Sequence, residues 1–144
     1  MKPDSTLFSL WHDVDVRFKD IDVGGHAHHS VALVFFEEAR AQYWKKVVGK
    51  GELDEVDFIL AEATVRYHAR IFYPGRVSVG ARVSKLGKKH FVMGYLATGP
   101  GGESLVSGET TLVMFDYQAR RSKPISAAMA GLIRAHEGQG LDGG

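Results

Sequence analysis

Hydrophobic and polar residues alternate along much of the second half of the chain. The alternation runs through residues 63–73, 77–84 and 91–97, and residues 105–115 form a further strand-like segment. A period of two is typical of a β-strand, because successive side chains point to opposite faces of the sheet. The pattern therefore predicts four strands, each with an apolar row directed at a core.

Short turn-forming sequences separate these segments. Pro74-Gly75 lies between the first two, Gly87-Lys88-Lys89 follows the second, and a Gly-Pro-Gly-Gly stretch at residues 99–102 precedes the last. Glycine and proline favour turns because of their unusual backbone preferences. Connections this short join antiparallel neighbours. The sequence therefore predicts an antiparallel sheet in which residues 63–73 and 77–84 form a hairpin.

A helical pattern precedes these strands. Residues 16–40 begin as an alternating strand, pass through an acidic and glycine-histidine turn, and enter a helix predicted over residues 31–48. The first six residues of that helix have no polar side, and a helix that is apolar all round is buried. An antiparallel sheet that curves around it would bury it. We therefore expect an α+β fold in which a curved antiparallel sheet wraps around a long central helix.

The C-terminal part adds one shorter element. Residues 126–136 read as a terminal helix with Ser126 as its N-cap, and residues 138–144 read as a flexible glycine-rich tail. A chain of 144 residues with 44% hydrophobic residues can bury a real core but is too short for two ordinary domains. We predict a single domain over residues 1–137.

Charge and cysteine content exclude several classes of function. Lys plus Arg number 18 against 17 Asp plus Glu, so the net charge of +1 implies no bulk attraction to nucleic acid or membranes. The absence of cysteine excludes disulfides, a thiolate nucleophile and Cys-ligated metal. The longest apolar run, residues 31–36, is far shorter than the ~20 residues that span a bilayer, and the N-terminus lacks a secretory signal. We expect a cytoplasmic protein.

Chemically active residues concentrate between residues 16 and 40. Asp20-x-Asp22 is followed by Gly25-His26, then His28-His29, and then the helix. The unpaired N–H groups of a first helical turn can polarise an oxygen that gains negative charge, while a nearby Asp supplies a nucleophile or a general base. The segment therefore suits chemistry on a carbonyl group.

The same residues resemble the hotdog-fold thioesterases of the 4-hydroxybenzoyl-CoA thioesterase family. The matching pieces are residues 16–18 (Val-Arg-Phe), Asp20-x-Asp22, Gly25-His26 and the helical residues 36–40 (Phe-Glu-Glu-Ala-Arg), and the resemblance covers roughly residues 10–135. The chain departs from many relatives at His28-His29, where they carry Asn or a Tyr-His pair. The resemblance implies the hotdog fold and hydrolysis of a small, medium-chain or aromatic acyl-CoA to free acid and coenzyme A.

Site residues follow from this resemblance. The family's catalytic Asp maps onto Asp22, as a nucleophile or as the base that activates a water, and Asp20 takes a supporting place. The backbone N–H that holds the thioester carbonyl falls at His29, with the helix starting near Ser30. We interpret His26 as the residue that orients the loop carrying Asp22.

Two alternatives compete for this chemistry. His26, His28 and His29 could bind zinc, but the side chains of adjacent histidines diverge in an extended chain and no H-E-x-x-H spacing occurs, so we predict no metal and no other cofactor. Glu37 is the second choice for the catalytic carboxylate, since another hotdog branch carries its Glu near this helical position. It lies roughly 12 Å along the helix from His29, and pairing with Arg40 is its simpler role.

The resemblance also implies how coenzyme A is bound and how the subunits assemble. Lys88 and Lys89 match a basic turn that contacts the nucleotide of coenzyme A in related enzymes, with the cluster Arg120, Arg121 and Lys123 as an alternative. Hotdog domains of this family pair their sheets edge to edge and build the active site between subunits, which implies a homodimer or a homotetramer. A non-catalytic thioester-binding protein and an acyl-carrier-protein thioesterase remain alternatives. A hydratase is disfavoured because its Asp-plus-His arrangement on a longer segment is not found.

Overall fold

A six-stranded antiparallel sheet forms most of the molecule, in a computed structural model that describes residues 4–51, 56–138 and 141. The chain forms the following strands and helices: β1 (Leu10–Val16), α1 (Val31–Tyr43), β2 (Phe58–Tyr67), β3 (Gly75–Leu86), β4 (His90–Thr98), β5 (Ser104–Asp116), β6 (Arg121–Ser122) and α2 (Ala127–Glu137). The sheet curls around α1, which confirms the predicted α+β hotdog fold.

The strands follow the order β1-β3-β4-β5-β2, with the short β6 paired to β5. Residues 77–84, 91–97 and 105–115 lie in consecutive antiparallel neighbours, as predicted. The predicted hairpin between residues 63–73 and 77–84 is wrong. β2 pairs with β5 at the far edge, β3 pairs with β1 and β4, and the chain between β2 and β3 crosses the sheet.

The central strands β3 and β4 are buried, whereas the edge strand β2 is largely exposed. The apolar rows of β3 and β4 are almost fully buried, with exposures of 0 to 2%, at Val77, Val79, Ala81, Val83, Phe91, Met93, Tyr95 and Ala97. Of the apolar row predicted for residues 63–73, Ile71 is buried at 6% exposure and Val65 is partly buried, and the rest of the row is exposed. β2 ends at Tyr67, which is 55% exposed, and nearly all of β2 is exposed because no described element covers this edge.

The central helix buries one face only. Phe35, Phe36 and Ala39 are at most 1% exposed, and Phe36 stacks on Tyr95 of β4 with ring centroids 4.7 Å apart. The expectation that the first turns are buried all round is wrong, because Leu33 and Val34 are 40% and 45% exposed on the side facing away from the sheet. From Trp44 to Val48 the helix continues as a π-helical turn and ends at Gly49, whose φ is +84°.

The C-terminal helix forms as predicted and packs against the π-helical turn at Trp44–Val48 and against β3. Ser126 is its N-cap, and its hydroxyl accepts from the Met129 N–H at 3.1 Å. At its other end the Glu137 carboxylate accepts from the Tyr43 hydroxyl at 2.6 Å and from the Val83 N–H at 2.9 Å. Most of the predicted tail, residues 138–144, lies outside the described residues. Within the described ranges no helix is long and apolar enough to cross a membrane.

Candidate active site

A tight loop between β1 and α1 carries the first of the predicted site residues. The Asp22 N–H donates to the His26 carbonyl at 3.0 Å, and the Gly25 N–H donates to the Asp22 carbonyl at 3.1 Å. Gly25 has a φ of +81°, which glycine adopts without steric cost. A Cβ on Gly24 would lie 2.9 Å from the His26 ring and 3.2 Å from Asp22 Oδ1. Both glycines therefore allow the loop to close around Asp22 and His26.

Asp20 stabilises this loop through hydrogen bonds with residues on both sides of it. Its side chain is buried, and Oδ2 accepts from the Arg17 N–H at 2.8 Å, while its carbonyl accepts from the His28 N–H at 2.8 Å. A 3-10 turn at Phe18–Asp20 ends the strand before Asp22, so the two carboxylates do not share one face. Asp20 thus ties the end of β1 to the start of α1.

The Asp22 carboxylate has few partners. Its Oδ1 accepts from the Gly24 N–H at 2.9 Å and lies 3.8 Å from His26 Nδ1, and about a third of the side chain is exposed. His26 is also held by a bridge to Phe72 of the segment between β2 and β3. These contacts suit the predicted orienting role of His26, which stays a prediction, and they leave Oδ2 of Asp22 open.

The start of α1 borders the same cavity, and the Val31 N–H there already donates to the His28 carbonyl at 2.9 Å. Val31 is the first helical residue, one position after the predicted Ser30, and Ser30 makes no side-chain cap. The Ser30 hydroxyl lies instead 2.9 Å from His28 Nδ1, and the Ser30 N–H donates to that nitrogen at 3.2 Å. Among the described residues, none accepts a hydrogen bond from the His29 N–H. The expected divergence of His28 and His29 is wrong, because a turn brings their rings together, with centroids 4.0 Å apart and planes tilted by 34°.

Tyr67 holds the helix start from the edge of the sheet. Its hydroxyl donates to the His29 carbonyl at 2.6 Å, which links the last residue of β2 to the residue before Ser30. Sequence reasoning assigned Tyr67 only to a core row. The sequence signal for Tyr67 was its position near the end of the alternating segment. Alternation predicts the face of the strand that a side chain occupies, but it does not predict which loop lies next to that face.

One cavity collects these groups. It has a volume of about 470 Å³, and its lining includes Asp22, His26, His28, His29 and Tyr67, together with Ala32, His68, Ala69, Arg70 and Ile71. His68 is held at 2.7 Å from the Ser107 hydroxyl. Sequence reasoning did not find His68 and Arg70, which come from the segment between β2 and β3. A carboxylate, several imidazoles and an open helix N-terminus therefore meet around one space.

Glu37 lies at a second cavity of about 380 Å³, which is bordered by Arg40, Trp44 and Phe58. Its side chain is 71% exposed, and its carboxylate lies 3.6 Å from the Arg40 guanidinium, the predicted pairing. Arg40 in turn donates to the Tyr95 hydroxyl at 3.1 Å, and burial raises the pKa of that hydroxyl. Within one subunit, Asp22 and Glu37 thus belong to separate cavities.

Lys88 and Lys89 lie at the other end of the sheet from Asp22. They precede His90, which pairs with Val113, whereas Val106 lines the Asp22 cavity. At about 3.4 Å per residue, these two points of β5 are roughly 24 Å apart. Lys89 Nζ lies 3.5 Å from the Ser122 hydroxyl, and the alternative basic residues Arg120, Arg121 and Lys123 belong to the same end.

The zinc alternative would require three ligand side chains grouped around one point. In the part of the chain that is described, no three His, Cys, Asp or Glu side chains are grouped so that they could hold a metal ion. His28 Nδ1 is already occupied as the acceptor from the Ser30 N–H. Independence from metal stays a prediction.

The fold and the cavity define a hotdog protein with a carboxylate and an open helix N-terminus at one site. The model of the Thioesterase-like superfamily matches residues 16–133, and the chain belongs to that superfamily. The narrower assignment to the 4-hydroxybenzoyl-CoA thioesterase family stays a prediction.

Individual relatives agree with this placement. A thioesterase from Thermus thermophilus, solved as a complex with coenzyme A and Zn, is 35% identical, covers 91% of this chain and 96% of its own, and has a TM-score of 0.83. The DHNA-CoA thioesterase from Staphylococcus aureus is 24% identical with a TM-score of 0.76 over 88% of this chain and 87% of its own, which shows the fold alone. The uncharacterized protein YsmA of Bacillus subtilis is 24% identical over 81% of this chain and 80% of its own.

Proposed function

We propose that this protein is an acyl-CoA thioesterase that hydrolyses a small, medium-chain or aromatic acyl-CoA to the free acid and coenzyme A. The observation that carries the proposal is that Asp22 and the start of α1 line the same cavity of about 470 Å³, and that the His29 N–H there has no acceptor among the described residues. Hydrolysis of a thioester needs both groups, because negative charge develops on the carbonyl oxygen while a nucleophile adds to the carbon.

In this proposal the thioester carbonyl accepts from the His29 N–H and lies in the field of the α1 N-terminus. Asp22 either attacks the carbonyl carbon or removes a proton from a water that attacks it. On the first route the carbon–sulfur bond breaks to give a mixed anhydride with Asp22, which a water then hydrolyses to the free acid and the Asp22 carboxylate. On the second route the attacking water itself becomes part of the acid as the carbon–sulfur bond breaks. On both routes the thiolate of coenzyme A leaves and takes up a proton, and one water is consumed. His26 holds the Asp22 loop, and Tyr67 holds the His29 peptide.

The test is a panel of acyl-CoA substrates with detection of the released thiol. The panel spans short, medium and aromatic acyl groups, and an acyl-carrier-protein thioester serves as the alternative substrate. Hydrolysis of at least one acyl-CoA, lost in Asp22→Asn, is the expected result. Binding of acyl-CoA without any hydrolysis would identify a non-catalytic binding protein, and hydrolysis of the carrier-protein thioester alone would reassign the carrier.

Assembly is part of the proposal. β2 is an edge strand, so half of its backbone groups lack a strand partner, and Ile59, Leu60 and Tyr67 expose apolar surface there. Leu33 and Val34 of α1 add to the exposed apolar surface. An unpaired edge of this kind is stabilised by pairing with a second copy. We therefore propose a homodimer joined through β2, with a homotetramer as the larger alternative.

Such a dimer would bring the Asp22 cavity of one copy near the Glu37 cavity of the other. Two β2 strands that pair antiparallel about a two-fold axis set the start of one strand beside the end of the other. The cavity of Glu37 adjoins Phe58 at the start of β2, and the cavity of Asp22 adjoins Tyr67 at its end. Lys88 and Lys89 belong to the Phe58 end of the sheet. From a second copy they could then bind the phosphates of a coenzyme A whose thioester lies beside Asp22.

Light scattering tests the assembly. At micromolar concentration the protein should show at least twice the chain mass of 15.8 kDa. Leu60→Glu introduces a charge at the proposed interface and should shift the mass toward that of one chain, because a buried unpaired carboxylate is strongly unfavourable. Leu132→Glu on α2 is the matched control, since Leu132 is 47% exposed and Leu60 is 51% exposed. A dimer that tolerates Leu60→Glu would exclude β2 as the interface.

A further inference from the structure

Arg70 lies on the wall between two neighbouring cavities. It lines the cavity of Asp22, and it also lines a smaller cleft of about 160 Å³ with Phe72, Arg76 and Glu103. A ligand that extends from the Asp22 cavity into the smaller cleft would therefore lie against Arg70.

Hydrogen bonds fix the backbone around Arg70, whereas its side chain makes no hydrogen bond or ion pair with the described residues. The Ala69 N–H donates to the Leu105 carbonyl at 3.0 Å, and the Ile71 carbonyl accepts from the Ala27 N–H at 2.7 Å. These bonds tie the segment to β5 on one side and to the Asp22 loop on the other. Among the described residues, no carboxylate forms an ion pair with Arg70.

The second arginine of the cleft is already neutralised. Arg76 Nε donates to Asp15 Oδ1 at 2.9 Å, and this hydrogen bond, with the charges of Asp15 and Asp13, raises the pKa of Arg76. Glu103 also lines this cleft, and its carboxylate packs against the turn at Gly99. Arg70 is therefore the cation of this cleft that is available to a ligand, and an anion beside it would displace no existing ion pair.

We infer that Arg70 binds a phosphate of the coenzyme A arm, in the same subunit as the Asp22 that acts on its thioester. This inference rests on the proposed function and deepens it. A guanidinium forms charge-assisted, often bidentate hydrogen bonds with phosphate. The cleft also exposes the Phe72 ring, 59% accessible, on which a base can stack. That ring favours coenzyme A over a carrier protein, whose phosphopantetheine arm carries a phosphate but no base.

Direct binding tests the inference without requiring catalysis. The affinity for ADP and for coenzyme A is measured by calorimetry on the wild type, Arg70→Ala and Arg134→Ala at two salt concentrations. Arg134 is the matched control, because it is an exposed arginine of α2 that lines neither cavity and lies outside the proposed β2 interface. Arg70→Ala should weaken binding of both ligands roughly tenfold, with less loss at high salt, and Arg134→Ala should match the wild type. Equal affinities in Arg70→Ala and the wild type would overturn the inference even if hydrolysis of acyl-CoA is confirmed.

Kinetics then identify which carrier is recognised. Arg70→Ala should raise KM for an acyl-CoA with little change in kcat, as expected when uniform binding is lost. It should leave an acyl-pantetheine, which lacks phosphate, unaffected. An equal increase in KM for acyl-CoA and acyl-phosphopantetheine assigns the contact to the phosphate that the two share, whereas an increase for acyl-CoA alone assigns it to the nucleotide. An effect on acyl-pantetheine of the same size would contradict phosphate recognition.

Discussion

The two cavities that border α1 offer carboxylates in opposite settings. Asp22 lies in the same cavity as the N-terminus of α1, and among the described residues its carboxylate is engaged by the Gly24 N–H and the nearby His26 alone. Glu37 lies two turns into the same helix, exposed to solvent, with Arg40 3.6 Å away. The carboxylates have similar intrinsic acidity, so the difference between them comes from the surroundings.

That difference separates a reactive carboxylate from a structural one. At the helix start, the His29 N–H has no acceptor among the described residues and can stabilise an oxyanion, because the helix dipole and this donor are fixed before a substrate arrives. In mid-helix every N–H is used by the helix itself. Beside Glu37 the polar groups form a chain from Arg40 through Tyr95 to Thr110 that joins α1 to the sheet.

The largest expected effect is on Asp22. Asp22→Asn keeps the side-chain size and can retain the hydrogen bond from the Gly24 N–H, but it removes the nucleophile or base. The value of kcat should fall by about 10² to 10⁴, with little change in melting temperature. Steady-state kinetics and thermal unfolding of the same preparation provide the measurement. Near-normal turnover would remove Asp22 from the mechanism.

A second effect should follow from Gly24. A Cβ there meets the His26 ring at 2.9 Å and Asp22 Oδ1 at 3.2 Å, so Gly24→Ala should displace both side chains and lower kcat on the order of tenfold. Gly25→Ala is the control, because a Cβ there has open space but a strained φ of +81°. It should cost about 1 kcal/mol of stability with a smaller loss of kcat. The reverse order would show that the packing around Gly24 does not set the position of Asp22.

The third effect should be small. Glu37→Gln removes an exposed charge from a pair of the kind that contributes only ~0 to 1 kcal/mol, so kcat should change by less than about threefold. A loss as large as that of Asp22→Asn would make Glu37 the catalytic carboxylate. In that case the dimer through β2 would have to bring it to the cavity of the other copy.

No effect is expected from metal removal. Prolonged dialysis against a strong chelator should leave thioester hydrolysis unchanged, because His28 Nδ1 is engaged by Ser30 and Asp22 has no clustered partners for a metal among the described residues. Thiol release before and after dialysis is the measurement. Activity that is lost and then restored by zinc would contradict this prediction.

Local patterns predicted the centre of the fold and failed at its edge. The rows of β3 and β4 were evident because alternation, short turns and burial act on neighbouring residues. The partner of β2 depends on a crossover, and the Pro74-Gly75 turn looked like that of a hairpin although β5 is the true neighbour. Leu33 and Val34 look like core residues because sequence cannot distinguish a core from a surface that a second copy would cover.

The residues of the candidate site likewise divide into those that local sequence could predict and those that it could not. Asp22, His26 and His29 are close in sequence, so their meeting around one cavity could be predicted from the loop alone. Tyr67 and Arg70 reach that cavity from more than thirty residues away, through pairings of β2 and of the segment after it. Long-range contacts of this kind cannot be predicted from the spacing of residues along the chain.

The most direct test of the central claim is a crystal structure of Asp22→Asn with a non-hydrolysable acyl-CoA analogue that keeps the carbonyl group. We expect the carbonyl oxygen about 2.7–3.1 Å from the His29 backbone nitrogen, with the carbonyl carbon beside the residue 22 side chain. A carbonyl held instead in the cavity of Glu37 and Arg40, with the start of α1 empty, would contradict the account.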